Sequence, residues 1–574
     1  MFSKYFALWS GASVKCFAIV IALALSVPVQ SAEQCSSLTI PRNQERPLGT
    51  CYENSSRSCS SDSQCSEHCV KAVCSNDPAK FCTSDSQCGG GYCAEDVTFE
   101  FSNSLTCGQF VTGEWWVEAP AGGSVEITSI TPSHTPGCES GSQSCRNGWA
   151  VDLATGSVPF TGRAFTVSRS PSLPRVVDAS NAPVSILKTV EGGLAGCDYP
   201  DDKYCTAILR ADVLTVVPNG AIPPANAFRP AYAGPDKMLG YYTSDEVDLS
   251  KIPSLRLSDL DDRSALPSWS QVVEHFTGPH LGNNRRNSEA HGMLTQNQGT
   301  GGYHADRARQ TNRHLLRLLL DNDFYTNGQH REALFKAVQS GIDKSWTLRN
   351  WARHASPGKR IKNMAVPIMF SAYVLNDPSI ADTNYPNMSE QDTFYDSPVY
   401  GPGHPADYMW GYNCGENEYF NGSDKWCGDP HGYGEGYSVN GRSFTYQWCC
   451  SMGPWKGGAL FVHLMQMESV LDVRGFLHVV GRYWDGWASD PSFDQGMWAS
   501  PDPYNRSGNR HNQRAPAGIT PGYQDKFSNA MWDSFRSCAA PRDGDGSTSG
   551  SYPCVGMVAE GQGNPSPKPP LILQ

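Results

Sequence analysis

"LTQNQGTGGYHADRARQTNRHLLRLLLDND", residues 294–323, changes character halfway along. It opens with amides, threonines and glycines, and it ends as a leucine-rich run. Ala308, Leu315 and Leu319 lie on one face of a 3.6-residue repeat. Tyr303, His304, Arg307 and Asn312 stand where the glycine loop becomes the helix. A helix start holds polar groups rigidly, so this junction is either a cap or the wall of a site. The same period continues downstream, through Leu334, Val338 and Ile342 in 330–346. It returns in 359–376 through Ile361, Ala365, Ile368, Ala372 and Leu375, where Pro367 is expected to kink the helix. Further helices are expected near 455–471, 473–483 and 524–537. The loops between them, notably 378–448 and 485–523, are long and rich in Trp, Tyr and His, and loops of that length usually carry function. Successive helical hairpins predict an α/α-toroid, complete or incomplete, over residues 226–545. Its cleft would form where helix starts and loops meet.

Upstream, the period changes. Residues 96–225 hold β-branched and aromatic runs such as "VTFEFSNSLTCGQFVTGEWWVEAP" and "AILRADVLTVVP", punctuated by Gly, Pro, Asn and Ser. Short strands with turns between them predict a β-sandwich. Trp115 and Trp116 are either strand core or a platform for sugar. Residues 33–95 are short, polar and cysteine-dense, with an internal repeat: "SCSSDSQCSEHC" from Ser58 and "FCTSDSQCGGGYC" from Phe81. Such a segment buries little apolar area, so disulfides must supply its order. The expected class is therefore multidomain α+β: a small disulfide-rich module, a β-sandwich, then the helical domain, with a C-terminal tail over 546–574.

Residues 1–32 read as a secretory signal. Lys4 and Lys15 precede "CFAIVIALALSVPV", followed by small residues and a cleavage point near Ser31 or Ala32. No other segment is apolar enough to cross a bilayer, so the mature chain is expected to have no membrane span. Cys16 lies in the signal and leaves an even number of the 21 cysteines for pairing in an oxidising compartment. Local clips are expected at Cys138–Cys145 and Cys197–Cys205, with Cys449 and Cys450 bridging to Cys414 and Cys427. The net charge of −12 argues against a nucleic-acid partner. The expected place is secreted, periplasmic or cell surface.

The loops of the helical domain carry the residues of a sugar cleft. Trp346, Trp351, Trp410, Tyr433, Tyr446 and Trp448 offer flat faces for stacking. His291, Arg349 and His354 offer hydrogen bonds to hydroxyls and carboxylates. β-Elimination on a uronate chain needs a carboxylate neutraliser and a base for the carbon-bound proton. Asn297, Gln298, Arg307 and Arg360 suit the first role, and Tyr303 or His304 the second. Tyr303 and Arg307 share one face at i, i+4. Hydrolysis would need two carboxylates instead, from among Asp306, Asp343, Asp407, Glu416, Glu418 and Glu435, and no spacing selects a pair. No cofactor is called for. A divalent metal is the weaker alternative, with His404 and Asp407 or His431 and Glu435 as half-sites.

The stretch "NQGTGGYHADRARQTN", with the signal, β-zone and helical hairpins around it, resembles the α/α-toroid polysaccharide lyases, the group of alginate-lyase and heparinase-like enzymes. The resemblance covers roughly 226–540. It implies a polysaccharide substrate, an amide neutraliser and a Tyr or His base. Those lyases often carry the sandwich after the toroid, whereas here the β-zone comes first. "GNNRRN" at 282–287 has the paired asparagines of an "NNH" signature and lacks its histidine. The layout "FVTGEWWV … VLTVV … FRPAYAGPDK" is also similar to that of exported bacterial proteins with no assigned activity. The expected function is a secreted lyase on an acidic polysaccharide. A glycoside hydrolase and a non-enzymatic glycan-binding or adhesion protein are the alternatives.

Overall fold

A computed structural model describes residues 32–41, 50–51, 54–58, 72–74, 77–82, 85–89, 96–133, 148–152, 160–161, 164–165, 170–195, 206–234, 237, 240–280, 304–321, 323–351, 365–382, 394–396, 408–410, 452–467, 470, 480 and 525–536. The expected clips at Cys138, Cys145, Cys197 and Cys205, and those at Cys414, Cys427, Cys449 and Cys450, fall outside these residues, as does the helix expected at 473–483 apart from Val480.

The chain folds as a mixed α+β protein. The strands are β1 (Glu33–Ile40), β2 (Thr50–Cys51), β3 (Asn54–Ser58), β4 (Ala72–Cys74), β5 (Asp77–Cys82), β6 (Val97–Gln109), β7 (Trp115–Glu118) and β8 (Ser124–Thr131). Then come β9 (Gly148–Val151), β10 (Phe160–Thr161), β11 (Ala164–Phe165), β12 (Arg175–Asp178), β13 (Val184–Ala195) and β14 (Thr206–Val217). The ribbon β15 (Phe394–Asp396) and β16 (Tyr408–Trp410) follows later. Ten strands form one sheet, in the order β12-β8-β6-β7-β14-β13-β4-β5, with β1 also on β6 and β9 also on β13.

The sheet forks at β6. One edge of β6 carries β1. The other edge is divided, with β8 on Thr98–Phe101 and β7 on Cys107–Gln109. The two limbs curl over a common core: Val125, Ile127 and Val177 from one limb meet Ile186, Leu214 and Val216 from the other. In β8, "SVEITSIT" buries Val125, Ile127 and Ile130, close to the period of a strand with one face inside. β7 runs parallel to β14, and among the described residues the other pairings of this sheet are antiparallel. Trp116 is buried, and its ring lies so close to Gly108 on β6 that a Cβ there would meet ring carbons. The strand-core reading of that tryptophan is the one observed. Cys35 and Cys107 join β1 to β6 in a disulfide, with Cα atoms 6.1 Å apart. Cys82 and Cys88 are also disulfide-bonded.

The helices are α1 (Trp269–Phe276), α2 (His304–Arg317), α3 (Gly328–Trp351), α4 (Val366–Val374), α5 (Met452–Leu464) and α6 (Lys526–Phe535). Local chemistry sets their starts. Ser268 caps α1 through a reciprocal box with Gln271. The Asp525 carboxylate accepts from Ser528 N at 2.9 Å at the start of α6. The sequence periodicity places a kink at Pro367. The assigned helix begins at Val366 with Pro367 in its first turn, where a missing N–H costs nothing. The apolar stripes are buried as expected: Leu334, Val338 and Ile342 of α3, and Ala308, Leu315 and Leu319 along and just beyond α2. α3 packs on α1 and α4, and α2 packs on α5, with α6 against both α2 and α5. Among the described residues, no helix is long and apolar enough to cross a membrane.

Gly341 fixes the α3–α4 crossing. A Cβ there would run into Ser371 Oγ and the Pro367 carbonyl. Ser371 Oγ itself donates to Val338 O at 2.8 Å, so it cannot swing away freely. Gly341→Ala should destabilise the protein by about 1–3 kcal/mol, the usual range for an overpacked core. A lowered urea midpoint checks this.

The β half and the helical half meet at a buried ion cluster. The Arg229 guanidinium, wholly buried, donates to both carboxylate oxygens of Asp343 on α3 at 3.0 and 2.7 Å. Its Nε lies 3.5 Å from Glu114, in the turn before β7. Gln339 accepts from Arg229 N and donates to Arg229 O, so backbone and side chain are both held. Burial opposes charge on Arg229, and Asp343 and Glu114 outweigh it, raising the guanidinium's pKa further.

Candidate functional site

One polar cluster is set inside the helical half, next to the two ends of segment 281–303. It is built from the end of α1 and the turn after it, the middle of α3, and α2. On α3, Lys336, Ser340 and Lys344 are four residues apart and form a polar stripe along one face. That stripe faces residues 275–280. Lys336 Nζ donates to Thr277 Oγ1 at 2.7 Å. Lys344 Nζ lies 3.2 Å from His280 Nδ1 and donates to Ser340 Oγ at 3.1 Å. Gly278, between the two histidines of the turn, has φ +74 and lies against Ala211 of β14, so the sheet presses this turn onto α3.

The histidines form a stack. His275 and His314 are face to face at 4.5 Å, and His280 meets His275 edge-on at 5.3 Å. His275 Nε2 pairs with Thr311 Oγ1 at 3.0 Å, and His314 Nδ1 donates to Gln310 O at 2.7 Å. His280 Nε2 lies 3.1 Å from the His275 carbonyl, which can only accept. That nitrogen therefore carries the proton, and Nδ1 turns its lone pair to Lys344. The His280 carbonyl accepts from Tyr232 OH at 3.3 Å.

Burial sets the charge states here. Desolvation, with Lys344 and His275 adding repulsion, holds His280 well below the usual histidine range, so it is neutral. Lys344 is 2 % exposed. Burial first, then the positive field of Arg307, brings its amine down to about 7, against a weaker opposite pull from Asp343. At pH 7 the imidazole is therefore neutral and the amine is about half protonated.

The lysine makes stability pH-dependent in a known direction. Its folded pKa lies below its unfolded value of 10.5, so between about 7 and 10.5 the unfolded chain binds the extra proton. Stability from this group therefore rises with pH across that window and is fully lost below it. Urea unfolding from pH 7 to 9.5 should show a wild-type slope steeper than that of Lys344→Met by up to ~1.4 kcal/mol per pH unit. Parallel curves would refute the assignment.

The residues chosen from the sequence are placed as follows. Asn297, Gln298, Tyr303, His291, His354, Arg360, Tyr433, Tyr446 and Trp448 lie outside the described residues. The backbone of His304 opens α2, that of Trp351 closes α3 and that of Trp410 ends β16; their side chains lie outside too. Arg307 is 3 % exposed, on the α2 side of the lysine–histidine cluster, and its charge reaches Lys344, His280 and Tyr232. Trp346 belongs to the helical core, with the Arg349 guanidinium 4.5 Å from its ring. Arg349 also donates to the Ser379 carbonyl. Lys344 and Trp346 are two residues apart on α3, so they do not share a face.

Asp343 is bound into the Arg229 pair. The half-sites His404 with Asp407 and His431 with Glu435 lie outside the described residues. Among the described residues, one group of three side chains is close enough to share a metal ion: Glu33, Cys35 and Cys107. With the two sulfurs joined in the disulfide, only a reduced pair would offer thiolates to such an ion.

Sequence reading missed Lys344, His275 and His280. A signal was present in "EHFTGPH", two histidines around a Gly-Pro turn, and in the four-residue polar repeat of α3. Comparison with models of protein families, with curated proteins and with solved structures finds no match in any of the three.

Proposed function

We propose that the chain is an exported carbohydrate-active enzyme, a lyase that cleaves a uronate-containing polysaccharide by β-elimination. The observation that carries this is Arg307: a guanidinium withdrawn from water, one turn past Tyr303 and His304 in the sequence and near the buried Lys344 amine. In such a place a cation stabilises the charge that develops on a carboxylate more strongly than it would in water. Tyr303 or His304 takes the proton from the carbon next to the carboxylate. That electron pair forms the double bond, and the glycosidic oxygen leaves and is protonated. Asn297, Gln298 and Arg360 share the neutraliser's role with Arg307.

The finer architecture goes with this reading. The packed pairs of helices support an incomplete α/α-toroid, and the forked, curled sheet over one core supports a sandwich. The Cys35–Cys107 disulfide, with bonded Cys82 and Cys88, supports an oxidising compartment and hence a secreted, periplasmic or surface protein.

The test is incubation with a panel of uronate glycans while following the ultraviolet absorbance of the unsaturated product. Arg307→Ala should slow turnover about a hundredfold, the loss typical of one charge-stabilising donor. Tyr303→Phe combined with His304→Ala should abolish turnover and leave glycan binding in place. New reducing ends without absorbance would move the assignment to a hydrolase. Binding without turnover on every glycan would move it to an adhesion protein.

A further inference from the structure

The environment of Lys344 is unusual for a buried amine. Its hydrogen-bond partners are a hydroxyl, Ser340, and an imidazole lone pair, His280. Among the described residues no carboxylate pairs with it. The nearest carboxylate on its own helix, Asp343, is held by Arg229 through both oxygens. The charges felt at the amine are those of Arg307 on α2 and Asp343 on its own helix, and the His280 imidazole lies at hydrogen-bond distance. Buried lysines are ordinarily matched by an anion. This one has a hydroxyl and an imidazole at hydrogen-bond distance, and the field of Arg307 outweighs that of Asp343, which is the setting an anion on Nζ itself would need.

We propose that Lys344 is a carbon dioxide site, at which Nζ adds CO2 to become a carbamate. The step is RNH2 + CO2 → RNH–COO⁻ + H⁺. The amine lone pair forms the N–C bond, one C=O electron pair moves to oxygen, and one amine proton leaves to the buffer. The local geometry suits the product. The N–H that remains on Nζ continues to donate to His280 Nδ1. The new carboxylate accepts from the Ser340 hydroxyl, and its charge is met by Arg307. Carbon dioxide is small and uncharged, so it can reach an amine that is 2 % exposed.

Selectivity follows from charge state. Only a neutral amine reacts. With its amine brought to about 7, Lys344 is mostly neutral at pH 7.5, whereas an exposed lysine near 10.4 is neutral roughly several hundred times less often. The site shares Arg307 with the lyase reading, and its test reads the carbamate itself, so that either proposal can fail without the other.

The experiment equilibrates the full chain with ¹³C-bicarbonate at pH 7.5 and records the ¹³C carbamate region. A saturable resonance is expected that fades as the pH falls below 7 and is lost in Lys344→Met. The N-terminal α-amine can give a resonance of its own, which should stay in that variant. Because Lys344→Met can perturb folding, the wild-type carbamate is also trapped by O-alkylation and located by mass spectrometry. The label is expected on the peptide containing Lys344. A wild-type spectrum no different from the variant's, or trapped label found only on other amines, overturns the proposal.

Discussion

Arg229→Met is expected to destabilise the fold by about 3–5 kcal/mol, the cost of leaving a buried charge without its partner. The residue is wholly buried and serves two carboxylates, Asp343 on α3 and Glu114 before β7. Methionine fills much of the volume and supplies no charge. Asp343 would then keep one side-chain contact, Gln339 Nε2 at 3.3 Å, and would face Glu114 with no cation between them. Both would have to take up protons or draw in water. The same argument predicts a rescue. Arg229→Met combined with Asp343→Leu removes both members, and replacing a buried pair by apolar groups is often close to neutral. Most of the loss should return, since Glu114 keeps its bond from Thr112 and an exposed edge. Urea denaturation followed by far-ultraviolet circular dichroism reads both variants. Equal penalties for the single and double variants would mean that Arg229 stabilises by packing and that the pair has no energetic identity.

The second large effect is expected at the disulfide. Cys35→Ser with Cys107→Ser opens a loop closed by a sequence separation of 72, and chain entropy puts the loss at ~4 kcal/mol. Cys82 and Cys88, which lie in the same span, are also disulfide-bonded. The loss should be directional. Among the described residues β1 pairs with β6 alone, as an outer strand that the disulfide pins at one end. Amide exchange should accelerate over residues 33–40 and change little in β13 and β14. An unchanged thermal midpoint, or loosening spread evenly over the sheet, would count against the cross-link as the anchor of β1.

The helical half was largely legible because its period is physical. Leu334, Val338 and Ile342 recur every four residues, and each is fully buried. The strands were legible for the same reason, through turn residues and alternation. Their pairing was not. Nothing local says that Leu214 lies beside Trp115 in parallel, or that Glu33–Ile40 returns to Val97–Cys107 across the cysteine module. Those pairings join residues far apart in sequence, and only the core common to both limbs selects them. The site was half legible. Arg307 was found because a helix start draws attention to polar residues. Lys344 escaped because "DKSW" reads as surface charge until α1 and its turn cover it. Trp346 shows the converse limit: residue type announces an aromatic face, and the helix decides whether it meets solvent or, as here, the core and Arg349.

The position of α6 bears on how the protein is made. Phe527, Met531 and Phe535 complete the helical core against α2 and α5, Asp525 lies 3.7 Å from Arg313, and Ser534 Oγ accepts from Asp261 N. A chain emerging from its amino end has every strand of the large sheet once Val217 has appeared. The remainder must wait for α6 before its apolar surface closes. A premature stop or a protease nick ahead of Lys526 would thus strand a finished β half on an unfinished partner, a product fit for a chaperone or for degradation.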